Sequence, residues 1–359
     1  MTLWMWGYGN DGATGLGIST NKSSPVQVGS LSTWDSVSAG SIHTMAIKTD
    51  GTLWTWGDNT NGQLGIGTVV GKNSPVQIGT GNNWSMVCAA GVWTTAEFSH
   101  TLAVKSDGTL WAWGDNSKGQ LGDGTTVSKS SPIQIGTDTN WAYVNGTWGL
   151  NSFAIKTDGT LWSWGYNAAA SAGMLGDGTI VNKSSPIQVG ALTNWSKINV
   201  GFGHVLALKT DGTLWAWGLN SSGQLGNGLF AAKSSPIQIG VGTNWMTLGT
   251  AGYGSLALKT DGTLWSWGSN SYGELGLGDT NDRSVPTQVG TSTWTALDSS
   301  LDQAMAIRSD GTLWAWGSNN KGQLGDGTVV ARSSPVQIGA VNTWVKCSAG
   351  ESFAAALRY

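Results

Sequence analysis

The pentapeptide Leu-Trp-X-Trp-Gly recurs seven times, beginning at Leu3, Leu53, Leu110, Leu161, Leu214, Leu264 and Leu313. The intervals are 50, 57, 51, 53, 50 and 49 residues. A motif at a near-fixed period of about fifty residues marks a solenoid, propeller or array, because each copy buries its apolar face only against its neighbours. A chain of 359 residues could hold two or three ordinary domains. Seven copies of one unit instead predict a single closed assembly.

The segment from Trp34 to Gly79 shows the unit. Trp34 to Gly40 and His43 to Lys48 read as two short strands, and Asp50-Gly51 as the hairpin turn that follows. Thr52 to Trp56 is a third strand. A Gly-rich loop from Asn59 to Val70 leads to an outer strand, Ser74 to Ile78. All seven prolines (Pro25, Pro75, Pro132, Pro186, Pro236, Pro286 and Pro335) take one place in that strand, where a missing N–H suits an edge. In the third strand both tryptophans point to one face and the residue between them to the other. That residue is small in six of seven copies (Met5 is the exception), so large and small faces can stack around a ring. Four strands and seven units predict an all-β, seven-bladed β-propeller. The last segment, Gly350 to Tyr359, matches a second strand, and Met1-Thr-Leu-Trp is the third strand that should follow. Pairing the two ends would close the ring and remove its open edges.

The predicted organisation is one domain over residues 1–359. Blade one combines 344–359 with 1–29, and the others cover approximately 34–79, 84–136, 141–190, 195–240, 245–290 and 294–339.

These units resemble the regulator-of-chromosome-condensation repeat family. Lys209-Thr-Asp-Gly-Thr-Leu-Trp-Ala-Trp-Gly218 with Gly223-Gln-Leu-Gly226 carries the resemblance, as does His100-Thr-Leu-Ala-Val-Lys105 before Ser106-Asp-Gly108. It extends over all seven units, and their near-identity looks more like bacterial and phage members. The resemblance implies a seven-bladed propeller whose first blade mixes both termini. It implies functions ranging from nucleotide exchange on a small GTPase with chromatin binding, through ultraviolet sensing, to plain protein binding. A fold shared so widely does not choose among them.

Composition narrows the field. Fourteen of the 18 Lys and Arg are spread evenly, seven before the hairpin turn and seven before the proline, and net charge is −3. Nucleic-acid binding needs a concentrated basic footprint, so no nucleic-acid partner is expected. No run approaches the ~18 apolar residues of a membrane helix, and the N-terminus has no signal-peptide pattern. Membrane insertion is not expected; a cytoplasmic or virion-associated place stays open. Cys88 and Cys347 occupy first strands of different units and read as small buried residues.

Catalytic and metal constellations dissolve into the repeat. His43, His100 and His204 share one strand position, which holds Asn151, Gly254, Gln303 and Phe353 elsewhere, so they read as packing and hydrogen-bonding residues. The aspartates before the turn glycines are turn formers. Asp115-Asn-Ser-Lys-Gly119 looks faintly like a calcium loop, but its first ligand is Tyr166, Leu219, Ser269 and Ser318 in later units. No nucleophile–base arrangement is readable, so neither an enzyme nor a cofactor is expected. Twenty-one of 23 tryptophans are framework; Trp93 and Trp148 are not.

The units differ most between their first and second strands. Blade two has only Ser41-Ile42-His43, whereas blade three has Val92 to His100, six residues longer. Aromatic and acidic residues gather in these turns, all predicted at one rim around the central channel. The candidate ligand-binding set is Trp93, Glu97, Phe98, Trp148, Phe202, Tyr253, Asp302 and Glu351. Drift in tolerant loops should favour small polar residues, so aromatics on a constant framework point to a binding surface. A second irregularity is the longer, apolar loop Asn167 to Gly173. The expectation is a non-catalytic binding or scaffold protein for a protein or glycan ligand, in the specific form a phage virion or bacterial surface component. The rivals are an exchange factor for a small GTPase, for which no wedge-like insertion of the right length is present, and a purely structural disc. Oligomeric state is not readable.

Overall fold

The structure is a computed structural model and describes residues 1–92, 98–146, 150–168 and 172–359. The chain forms seven sheets of four antiparallel strands arranged in a ring. Blade two is representative: Trp34–Ala39, His43–Lys48, Leu53–Gly57 and Lys72–Gln77 lie side by side in chain order. Blade one is assembled from both ends, in the order Lys22–Gln27, Thr2–Gly7, Phe353–Arg358 and Trp344–Ala349. Thr2 lies opposite Arg358 and the register holds through Gly7 opposite Phe353. The expected seven-bladed fold and its closure by terminal strands are both present.

The core consists of apolar wedges, each shared by two blades. One wedge joins Leu3, Met5 and Phe353 of blade one to Trp34, Ala46 and Trp56 of blade two. The residue between each Trp pair is fully buried, including Met5, Thr55, Ala112 and Ser163. The second Trp of each pair is also fully buried, and its indole N–H crosses to the preceding blade. Trp113 Nε1 donates to the Gln63 carbonyl at 2.9 Å, and Trp6 Nε1 closes the circle on Gln323 at 2.9 Å. Burying seven indoles supplies apolar area, while the carbonyl partner removes the cost of a buried donor.

A bulge in every first strand places its Trp opposite the basic residue before the hairpin. In blade two Trp34 faces Lys48 while Ser36 faces Ile47. The Lys48 ammonium lies 3.5 Å from the Trp54 ring centroid and 5.1 Å from that of Trp34. Lys or Arg repeats this contact in every blade, ending with Arg358 over Trp4 and Trp344. The even spread of the seven cations before the hairpins thus has a local cause: each caps its own tryptophans. The hairpin is fixed by Asp50, whose carboxylate accepts the Thr52 N–H at 3.0 Å and hydroxyl at 2.7 Å. Gly51 is required there, since a Cβ would sit 2.0 Å from the Asn82 carbonyl.

Candidate functional site

In a four-stranded meander, the first-to-second turns and the third-to-fourth loops emerge on the same face. Backbone bonds tie them together here: Asp58 N–H donates to Ile42 O, Ser269 N–H to Tyr253 O, and Ser318 N–H to Asp302 O. The turns also bond from blade to blade, Phe202 N–H to Gly252 O at 2.8 Å and Glu351 N–H to Gly40 O at 3.2 Å. Among the described residues, backbone bonds thus join the turns of blades five and six, and those of blades one and two, on one face.

Trp93, Glu97 and Trp148 lie outside the described residues. Phe98 pairs with Val92, so part of the blade-three insertion extends the two strands instead of forming a loop. Phe202 of blade five meets Tyr253 of blade six edge to face, with ring centroids 5.1 Å apart and planes at 80°. Tyr253 is 37% exposed. Asp302 is partly exposed in the next turn, and burial pushes its carboxyl up to about 6. Glu351 is buried at 6% exposure, so its side chain is part of the packing and offers little surface to a ligand. In the second irregularity, residues 169–171 lie outside the described residues.

Two neighbours of this arc escaped sequence reasoning. Glu274 is 2% exposed and accepts the Tyr272 N–H at 2.8 Å. Burial, with Asp302 and Asp282 adding repulsion, raises its carboxyl to about 7. The available signal was its position, which holds Gln63, Gln120, Gln224 and Gln323 in other units. Leu301 has φ of 38°, a left-handed backbone, where blade six has Gly252 at 54°. Its signal was the same: a leucine where a neighbouring unit uses glycine.

The histidines take the packing role expected of them. His43, His100 and His204 are fully buried, and their Nε2 atoms lie 3.1, 2.9 and 2.8 Å from Thr101, Ser152 and Ser255 of the next blade. Each hydroxyl donates onward to a Gln carbonyl, so it accepts from Nε2–H. Burial drives the three imidazoles down to about 4, 3 and 3. The Asp115 carboxylate accepts from the Ser117 hydroxyl at 2.9 Å and from the Gln120 amide, the uses of a loop-organising residue. No group of three metal-type side chains is gathered among the described residues. Cys88 and Cys347 are free thiols.

Around the axis, first strands bond across blade boundaries through one side-chain position. Ser348 accepts the Ala39 N–H, Ser38 accepts that of Ala89, and Asp298 accepts that of Ala349, each at 3.0 Å. Asp298 is the acidic member; burial raises its carboxyl to about 6 against the opposing pull of those donors.

Comparison with known proteins agrees with this architecture. Residues 98–359 match the model of the RCC1-like domain, and residues 2–47, 50–96 and 34–63 match models of the regulator of chromosome condensation (RCC1) repeat. The ultraviolet-B receptor UVR8 of Arabidopsis thaliana is 30% identical over 227 residues, 61% of this chain and 49% of that protein. The probable E3 ubiquitin-protein ligase HERC6 of Homo sapiens is 33% identical over 127 residues, 34% of this chain and 12% of that protein. The chain thus spans half or less of the length of these relatives. Yeast RCC1 (Prp20), solved bound to Kap60, superposes with a TM-score of 0.86 at 20% identity, covering 100% of this chain and 89% of that one. Human WBSCR16 gives 0.85 at 20% identity, covering 99% and 98%. At such identities the superpositions speak for the fold, while the domain match extends over more than half of the chain. This protein belongs to the RCC1-like family of repeat propellers.

Proposed function

We propose that this chain is a non-catalytic propeller that binds a protein ligand through the face carrying the variable turns. The observation that carries the reading is the contrast between that face and everything behind it. The framework tryptophans, the cations and aspartates at each hairpin and the histidines are engaged in internal contacts, while Phe202, Tyr253 and Asp302 lie in adjoining turns and keep some surface. An edge-to-face aromatic pair with a carboxylate in the next turn is the composition of an interface centre with a polar neighbour. The family likeness supports a protein ligand, since one solved relative is named for its binding to Gsp1p and histones. Attachment of a virion or bacterial surface to a host protein or glycan is the narrower form of this reading, and it rests on sequence character alone.

The test is a paired capture experiment with the whole chain. One bait is unaltered; the second carries Phe202→Ser and Tyr253→Ser; a third carries Leu192→Ser and Val241→Ser, exposed in connectors between blades, at the end of the strands away from the variable turns. Equal melting temperatures control for folding. A partner lost only from the second bait supports the reading. A partner kept by all three overturns the assignment of the site. A captured GTPase whose nucleotide release the chain accelerates would replace it with the exchange-factor reading.

A further inference from the structure

The loop joining each third strand to its outer strand carries exposed apolar side chains at its tip in six of the seven blades. Val69 and Val70 in blade two, Leu229 and Phe230 in blade five, and Val329 and Val330 in blade seven are 56 to 63% exposed. Blades one, three and four add four more exposed valine and isoleucine side chains. Each tip precedes the basic residue that opens the outer strand, and in blade two that residue, Lys72, lies opposite Gly57. The tips therefore stand on the face of the variable turns. First strands surround the axis, so the tips form a wider ring outside those turns.

The ring is held rigidly by groups other than the apolar side chains. The buried Asn59 amide donates to the Thr68 and Val70 carbonyls at 2.8 and 3.2 Å, and Asn220 holds Leu229 and Ala231 in the same way. Each loop is also tied to the outer strand of the next blade. Gly67 N–H donates to Ser130 O at 2.8 Å, and Gly327 N–H closes the circle on Ser23 O at 2.7 Å. Blade six shows what the apolar side chains are not needed for. Its tip is Asp279-Thr280-Asn281, yet Asn270 donates to the Asp279 and Asn281 carbonyls at 3.0 and 3.1 Å, and Gly278 N–H reaches Ser333 O at 2.7 Å. Polar residues keep the same loop, so the apolar ones have no task inside the blade. Exposed apolar surface on this scale marks a contact.

We propose that a second copy of this chain covers the ring, the two discs stacking face to face. Ten half-exposed apolar side chains offer on the order of 900 Å² per copy, against the roughly 800 Å² per partner that a stable interface buries. The repetition points to the occupant. A partner without the seven-fold repeat meets one or two tips, whereas another copy presents the same tips at the same radius. Charge does not oppose the pairing, because the loops neutralise themselves. Asp123 pairs with Lys129, Asp177 with Lys183, and Asp326 with Arg332, at 3.4, 3.7 and 2.8 Å. A two-fold axis lying in the interface makes the contact self-complementary. Only an axis through blade six sets its polar tip against its own copy. Blade five then meets seven, blade four meets one, and blade three meets two, so every apolar tip meets an apolar tip. In blade six Asp279 is paired with Arg283 at 2.7 Å and Asp282 accepts the Asn270 N–H at 3.0 Å, which quiets the polar meeting. The pair needs no part of the ligand reading, and the two compete for one face.

Sedimentation of the whole chain over a range of concentrations tests the pairing. The unaltered chain should pass from monomer to dimer. A variant with Val69, Val70, Val329 and Val330 all changed to Thr, the residue native at Thr126 and Thr280, should dimerise at least tenfold more weakly at an unchanged melting temperature. Leu192→Ser with Val241→Ser, at the other end of the strands, should dimerise as the unaltered chain does. A chain that is monomeric throughout, or a dimer as strong in the threonine variant, would overturn the proposal. So would a monomer that sediments with phosphatidylcholine vesicles, which would give the ring to a lipid surface. Cysteine cross-linking with diamide, read against the unaltered chain, checks the axis. Asn281→Cys should link to its own copy, whereas Val127→Cys should link to Val70→Cys in a mixture and not to itself. Self-linking of Val127→Cys without that of Asn281→Cys would overturn the arrangement. A monomeric result leaves the ligand assignment of Phe202 and Tyr253 to its own capture experiment.

Discussion

Glu274 stands where four other units carry glutamine, and the consequence is a pH-dependent cost. Its carboxyl is raised to about 7 by burial, above the ordinary value of 4.5. The folded state therefore keeps a proton that the unfolded chain has lost, and stability falls as pH rises from about 4.5 towards 7. The size is on the order of 3 kcal/mol above pH 7. Glu274→Gln should raise the melting temperature at pH 8 and leave it nearly unchanged at pH 4.5, as thermal melts across pH would show. The histidines act in the opposite sense. Their imidazoles are lowered from 6.5 to about 4, 3 and 3, so their stabilising neutral packing is present above pH 6.5 and is lost as pH falls through the folded values. His204→Gln, the residue native at Gln303, should flatten the acid side of the same profile.

At the level of elements, the loop glycines limit how closely blades approach. Gly65 has φ of 69°, and a Cβ there would lie 2.6 Å from Trp113 Nε1, the donor to Gln63. Gly65→Ala should destabilise by about 3 kcal/mol through overpacking and left-handed strain together, measured by denaturant unfolding. The variable turns behave otherwise. Leu301 holds φ of 38° on the candidate binding face, and Leu301→Gly should stabilise by about 1 kcal/mol. If ligand capture weakens in that same variant, the leucine side chain is held at a strained turn for contact. A gain in stability with full capture would mark the turn as tolerant packing.

For the molecule as a whole, closure is the cooperative event. Phe353–Arg358 lies between Thr2–Gly7 and Trp344–Ala349, so removing residues 353–359 opens blade one and unpairs a strand on each side. Such a truncation should lose its sharp melting transition. A circular permutant joining Tyr359 to Met1 through a short linker, with new ends in the exposed connector at residues 191–193, should melt within a few degrees of the parent. Retained cooperativity in the truncated chain would show that the other wedges hold the ring without closure.

The fold was legible because it is written seven times. The Trp pairs, the Asp-Gly turns and the proline positions each report a local rule, strand alternation, turn geometry or edge placement, and repetition multiplies the signal. Sequence also identified which residues are scaffold, since a histidine or lysine repeated at one register has a neighbour to satisfy in the ring. Tertiary structure alone decided how the exceptions are used. The turn position that made Glu351 look available is covered when blade one meets blade two. Phe202 and Tyr253, 51 residues apart, became a pair because their turns adjoin across a blade boundary. Asp138 is one polar connector residue in the sequence, and the fold alone sets its carboxylate 2.7 Å from Lys156 Nζ of the following blade. The physical reason is common to all three: periodicity fixes what each blade does alone, whereas these contacts arise only where one blade meets the next.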